Sequence, residues 1–229
     1  MSDDPLRNTI LSSREKCALR ELGWVKLASD AHNEIVLASH TLMLAEELGT
    51  PIRGRLPQVV EALVPKVPEE AHPASLSRKF GLDAFPFHAD SSHWTVPARF
   101  VILSCVSLGK CMVPTLLVYR DTVLNTDDKR TLARSAVFLV KNGRNSFYSS
   151  ILGMGRDFIR YDPGCMEPQT LDAVEALRLF SHERVSPFVQ KVDWKPGDSI
   201  VIDNWRMLHA RAAVSTNSSK RLLLRCLVS

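Results

Sequence analysis

The chain lacks the features that would mark several common classes. No apolar run is long enough to span a bilayer. The longest, near Phe100–Val106 and Ala136–Val140, fall far short of the roughly 20 residues a spanning helix needs. Met1-Ser-Asp-Asp-Pro is acidic and polar, and no apolar signal core follows it. The five cysteines, Cys17, Cys105, Cys111, Cys165 and Cys226, are odd in number and form no C-x-x-C pair. That argues against both a disulfide framework and a zinc–thiolate site, and a reducing cytoplasm fits best. There is no long basic run and the net charge is only +4, so nucleic acid is not an expected partner. Internal repeats and low-complexity tracts are also missing.

What is present is an ordinary globular balance: 229 residues, 45% hydrophobic and 24% charged, enough for one domain with a sizeable core. Residues 1–12 read as a loose terminus. Over 13–75 a helical flank is expected. Ile35, Ala38, Leu42 and Ala45 recur at helical spacing between Ala31 and Leu48, and Gly49 and Pro51 stop them. A short helix is expected near Val59–Val64, among frequent prolines. After Phe85 the character changes. Phe100–Val106, Thr115–Tyr119, Ala136–Val140, Phe158–Tyr161, Ser199–Asp203 and Leu222–Val228 are short β-branched and aliphatic runs, and turn residues bound several of them. One helix interrupts them near 168–183, with Leu171, Val174, Leu177 and Phe180 spaced by threes. The expected fold is mainly β with flanking helices (α+β), with a double-stranded β-helix (jelly roll, cupin-like) core over 76–229.

Two distant segments carry chemistry. His88-Ala89-Asp90 follows Phe85-Pro86-Phe87 in an extended context, where side chains at i and i+2 point to the same side and can converge on one ion. His32-Asn33-Glu34 has the same pattern but opens a predicted helix, where i and i+2 diverge. His209 lies after the turn Pro196-Gly197, a buried strand, and a reversal at Asp203-Asn204. Two histidines and one carboxylate on one face of a metal make the facial triad of non-haem Fe(II) oxygenases. Further on, Arg221 and Arg225 lie four apart on one face of a strand otherwise made of leucines. Inward arginines need anions, and a 2-oxoacid with a distal carboxylate would serve.

With Leu76–Gly81, Phe87–Asp90, Pro114-Thr115, Trp194–Arg211 and Arg221–Arg225 in this order, the chain resembles the Fe(II)/2-oxoglutarate-dependent dioxygenases of the taurine dioxygenase (TauD/TfdA-like) family from about Ser75 onward. The resemblance implies Fe(II) held by His88, Asp90 and His209. It implies 2-oxoglutarate held at its far end by Thr115 and Arg221, with Arg225 toward the substrate. The spacing after His209 leaves open which of the two arginines grips the co-substrate. The implied reaction uses O2 to hydroxylate or otherwise oxidise an unactivated C–H bond, releasing succinate and CO2. The expected substrate is a small, anionic or amino-acid-like molecule.

Ser91, Ser92, His93 and Trp94 follow the ligands and are candidates for the substrate wall, as is Arg160; its bland alternative is a strand-edge pairing with Asp157 or Asp162. A monomer and a homo-oligomer both stay open. Two rivals remain: a cupin-like non-redox metalloenzyme, which has no need of the Thr115/Arg221 pair, and a non-catalytic β-sandwich binding module, in which His88 and His209 would lie apart. A nucleic-acid demethylase is weaker, for want of a basic surface and clustered stacking aromatics.

Overall fold

Apolar residues face both ways along the central strands, and this sets a layered architecture. The computed structural model describes residues 10–31, 33–110, 112–143, 145–153, 158–214 and 221–229. In chain order the elements are α1 (Ser13–Leu22), β1 (Trp24–Leu27), α2 (Glu34–Leu48), β2 (Pro51–Ile52), β3 (Val60–Leu63), α3 (Leu76–Phe80), β4 (Phe100–Leu108), β5 (Thr115–Tyr119), α4 (Arg120–Val123), α5 (Asp127–Ser135), β6 (Phe138–Asn142), β7 (Asn145–Ser149), β8 (Met166–Pro168), α6 (Leu171–Leu179), α7 (His182–Val185), β9 (Gln190–Val192), β10 (Ser199–Asp203), β11 (Met207–Arg211) and β12 (Arg221–Val228). The pairings are antiparallel. The main sheet runs β1-β10-β4-β12-β2, with β3 also on β12; smaller sheets run β11-β5-β9 and β7-β6-β8. This is the jelly-roll arrangement expected from the density of short strands.

The inner face of the main sheet packs Val101, Leu103, Ile200, Ile202, Leu223 and Leu227 against Leu117, Val192 and Met207 of the second sheet. The alternate residues Ile102, Val201, Cys226 and Val228 face Leu19 of α1 and Leu44 and Ala45 of α2. Each fully buried leucine or isoleucine here contributes about 1.5–3 kcal/mol relative to exposure. A row of hydroxyls crosses the same helix–sheet interface: Thr41 Oγ1 is 2.7 Å from Ser104 Oγ, which is 2.7 Å from Ser199 Oγ. The turn that launches β10 requires glycine. Gly197 has φ +90°, and a Cβ there would lie 2.1 Å from the Ser29 carbonyl oxygen.

Several expectations need correction. Residues 1–9 lie outside the described residues, but 10–12 are not loose. Leu11 is buried, Glu47 accepts from the amides of Ile10 and Leu11, and Ser12 caps α1 through a capping box. The 13–75 flank supplies two helices and also three strands of the main sheet. Val59–Val64 holds β3, not a helix: Pro57 and Pro65 leave too short a run for one, and the open edge of β12 offers hydrogen bonds instead. Phe158–Tyr161 makes only an isolated bridge, Leu152 with Ile159. The expected apolar stripes also face the wrong way in part. In α2 the buried residues are Leu37, Thr41, Leu44 and Ala45, while Ile35 is 77% exposed. In α6 they are Ala173, Ala176 and Leu179, while Leu171 is 87% exposed. The inward faces mix leucines with small residues, Thr41 and Ala45 in α2 and Ala173 and Ala176 in α6. Among the described residues no helix is long and apolar enough to cross a membrane.

Candidate metal centre and its cleft

His88 sits on an extended segment that pairs with β11. His88 and His209 exchange both backbone hydrogen bonds, each 2.9 Å, in an antiparallel bridge. Directly opposed residues have neighbouring side chains, and the two imidazole centroids are 4.4 Å apart. Asp90, two residues on, points to the same side. Its Oδ1 lies 3.8 Å from His88 Nε2 and 3.9 Å from His209 Nε2. One ligand atom from each of the three residues falls within 4.8 Å of the others.

The electrostatics prepare these atoms for a cation. His88 Nδ1 is 3.0 Å from the Pro86 carbonyl oxygen; donating to it leaves the Nε2 lone pair facing the centre. Burial, reinforced by His88 and Arg225, pushes His209 down to about 3 despite Asp90, so its ring is neutral at physiological pH. Among the described residues His209 Nδ1 finds no hydrogen-bond partner, whereas His88 makes the outer bond expected of a ligating histidine. Burial raises Asp90, but Arg225 with His209 and His88 outweighs it and holds the carboxyl well below the usual range. Two imidazoles and an ionised carboxylate on one side suit a first-row divalent ion such as Fe(II).

Asp90 is held by its backbone as well. Asn204, fully buried in the turn between β10 and β11, accepts from the Asp90 amide at 2.8 Å and donates to its carbonyl at 3.0 Å and to that of Ala98 at 2.8 Å. Ser91 follows with φ +56°, a left-handed conformation that turns the chain sharply after the ligand.

The three residues open onto a cleft of about 350 Å³ that also admits Thr115, Arg221, Arg225, Glu61, Ser91, His93 and Trp94. β12 places Arg221, Leu223, Arg225 and Leu227 on this side, as their spacing of two along a strand predicts. The two arginines differ. Arg225 donates to Asp90 and to Glu61, and these carboxylates raise its pKa against the effect of burial. Arg221 is buried, and among the described residues no carboxylate pairs with it. It donates to the Val113 carbonyl at 3.3 Å, and its Nε has no partner among the described residues. Burial depresses its pKa. Thr115 Oγ1 accepts from Trp194 Nε1 at 3.1 Å, which leaves its own O–H to donate elsewhere. A cation without a counter-charge is costly in such a place, so this end of the cleft is built for an anion.

The remaining candidates separate. His93 and Trp94 line the cleft, in edge contact at 5.8 Å. Burial and then Arg55 depress the His93 pKa. Ser91 lines it too, but its hydroxyl donates to the Asp90 carbonyl and accepts from Ala98 N. Ser92 turns away, donating to the Ala89 carbonyl. Arg160 is corrected: it lies outside the cleft lining, bound to main-chain carbonyls of the loop after Asp90. Of its two alternative partners, Asp157 lies outside the described residues, as do His32 and Cys111. Glu61 and Asn204 escaped the sequence reading. Glu61 stood on a supposed helix, and a lone asparagine in a turn carries no distinguishing signal.

Residues 115–227 match the family described as "Taurine catabolism dioxygenase TauD, TfdA family". No curated protein matches the chain in sequence. Among solved structures, it is similar to asparagine oxygenase in complex with Fe(II), 2S,3S-3-hydroxyasparagine and succinate. The identity is 18% with a TM-score of 0.75, over 94% of this chain and 77% of that one. It is also similar to the non-heme iron oxygenase OrfP with Fe and alpha-ketoglutaric acid, at 16% identity and a TM-score of 0.72 over 94% and 78% of the two chains. OrfP with Fe, succinate and (3S)-hydroxy-L-Arg gives 17% and 0.71 over 94% and 77%. At these identities the likeness is one of fold.

Proposed function

We propose, for a chain whose residues 115–227 match the TauD/TfdA dioxygenase family, an Fe(II)- and 2-oxoglutarate-dependent hydroxylation of a small amino-acid-like molecule. The observation that carries this reading is the pairing, in one cleft, of the His88–Asp90–His209 cluster with Arg221, a buried cation lacking a carboxylate. A non-redox cupin would need the first and not the second.

His88 Nε2, Asp90 and His209 Nε2 would hold the iron. When bound, iron and 2-oxoglutarate together supply the oxidising power: O2 is consumed, the oxoacid leaves as succinate and CO2, and a C–H bond of the substrate is hydroxylated. The chain's own residues orient and neutralise. Arg221 offers a planar fork, and the Thr115 hydroxyl one further donor, to the distal carboxylate of the oxoacid. Arg225 is the weaker candidate for that task because Asp90 and Glu61 already share it. Held on both sides it has no free fork for a bidentate grip, but its 22% exposed side chain can add a single N–H contact to the substrate's carboxylate.

Glu61 then sets the class of substrate. It lies beside the anion-binding guanidinium and disfavours a simple carboxylate or sulfonate by repulsion. An α-ammonium next to the carboxylate removes that repulsion, so a zwitterionic amino acid fits best. The crystallised relatives hold hydroxylated asparagine and arginine, which agrees with this choice of class. His93 and Trp94 complete the wall toward the substrate side chain.

Anaerobic titration with Fe(II) and 2-oxoglutarate tests the reading. A visible metal-to-ligand charge-transfer band, lost in His88→Ala, is the expected result. In air, one or more of the proteinogenic L-amino acids should accelerate succinate release. Metal binding without a band would point to the non-redox metalloenzyme, and no metal binding to the binding module.

A further inference from the structure

Between Asp90 and β4 the chain forms neither helix nor strand, yet it carries His93 and Trp94 to the cleft. Something other than a ladder must fix its path. Asn204 holds its two ends, at Asp90 and Ala98. Nearer its end Trp205 Nε1 donates to the Pro97 carbonyl at 3.0 Å, and among the described residues the side chain that hydrogen-bonds the carbonyls of residues 92–95 is that of Arg160. Arg160, 2% exposed, donates to the main-chain carbonyls of Ser92, Trp94 and Thr95, the last at 2.9 Å. The guanidinium lies between two rings, 4.9 Å from the Phe147 centroid and 5.3 Å from that of Phe158. These contacts go to backbone oxygens, so they set the course of the loop whatever side chains it bears.

We propose that Arg160 is a positioning residue for substrate recognition: it gathers three carbonyls of residues 92–95 and so aims His93 and Trp94 into the cleft without touching the substrate. The inference rests on reading the cleft as the substrate pocket of an oxygenase. A planar fork with several N–H groups reaches carbonyls in different directions while its faces stack on aromatic rings; an ammonium has one nitrogen and no face. Arg160→Lys therefore keeps the charge and loses the geometry. The iron cluster and the Thr115–Arg221 end of the cleft are made by other residues, so co-substrate binding should be insulated from the change.

The test uses the full chain with Arg160→Lys and, as a milder variant, Phe147→Leu, which removes one ring at a half-buried position. Amide hydrogen exchange over residues 90–99 should quicken by about tenfold or more, while exchange in β11 and β12 stays as in the wild type. The Fe(II)/2-oxoglutarate charge-transfer band should keep its intensity and midpoint. With the L-amino acid that most accelerates succinate release, KM should rise by about 10–100-fold and kcat fall less, as for loss of a supporting contact. More succinate should form per hydroxylated product. Phe147→Leu should move the same quantities less.

Unchanged exchange and KM in Arg160→Lys would overturn the proposal. So would an equal loosening of β11 and β12 with loss of the band, which would make Arg160 a residue of general stability. A wild-type protein without the band would sink the oxygenase reading instead, and the exchange data would still decide whether Arg160 holds the loop.

Discussion

The cleft has two unlike walls. The inner wall carries Thr115, His209, Arg221 and Arg225 on β5, β11 and β12, strands locked in hydrogen-bonded ladders. The outer wall carries Ser91, His93 and Trp94 on a segment without a ladder, held by single side chains. The family match spans 115–227, so it takes in the inner wall and stops short of the outer one. His88, Asp90 and Glu61 also fall outside it. The two arginines are built into the sheet, while the metal-site residues straddle the boundary, His209 on β11 and His88 and Asp90 on the segment that bridges to it. Discrimination between substrates is carried by loops on that scaffold, where residues can change without disturbing it.

That division can be broken at its strongest point first. His209→Ala removes a ligand from the inner wall and should abolish both the charge-transfer band and succinate formation, with the fold kept by circular dichroism. Arg221→Met should weaken 2-oxoglutarate binding by about 30–1,000-fold, the equivalent of roughly 2–4 kcal/mol for stripping a partner from a desolvated charge pair. Arg225→Met should leave that affinity nearly intact and raise KM for the amino acid. If the two arginines exchanged these effects in co-substrate titrations, their assigned roles would be reversed.

Asn204→Ala joins the walls, since it frees the Asp90 backbone. It should cost about 10–100-fold in Fe(II) affinity, measured by competition with a chelator. His93→Ala, wholly on the outer wall, should reorder the preference among L-amino acids and leave iron and 2-oxoglutarate binding alone. A change in the band would contradict that placement.

The inner wall also predicts a pH effect on the metal-free protein. His209 titrates near 6.5 when unfolded and at about 3 when folded. Below 6.5 the unfolded chain binds a proton that the fold refuses, so stability present above that pH is lost as pH falls toward 3. Melting temperatures between pH 7 and 4 should fall, and His209→Asn should fall less steeply.

Much of the inner wall was legible in the sequence. An i, i+2 pair after an extended Phe-Pro-Phe has one geometry, and a spacing of four along β12 puts its two arginines on one face. The outer parts were not. Glu61 reaches the cleft because β3 adds to the edge of β12, a long-range pairing that no local periodicity encodes. Arg160 looks the same in sequence whether it meets a substrate anion or a loop's carbonyls. The apolar stripes of α2 and α6 misled because Ile35 and Leu171 stay in solvent while Leu37, Leu44 and Leu179 turn inward beside alanines and a threonine.

That threonine has a consequence of its own. Thr41 donates its hydroxyl proton to the Leu37 carbonyl at 2.7 Å, so it must accept from Ser104, and Ser104 in turn from Ser199. The row therefore has a single polarity, fixed from the helix inward across two strands. Sliding α2 along the sheet by even one turn would orphan buried hydroxyls at about 1–3 kcal/mol apiece. It behaves as a detent, with one seat for the helix. The outward face of α2, where Ile35, Val36 and Met43 lie exposed, can thus be rewritten freely while the strands beneath keep their alignment on the cleft.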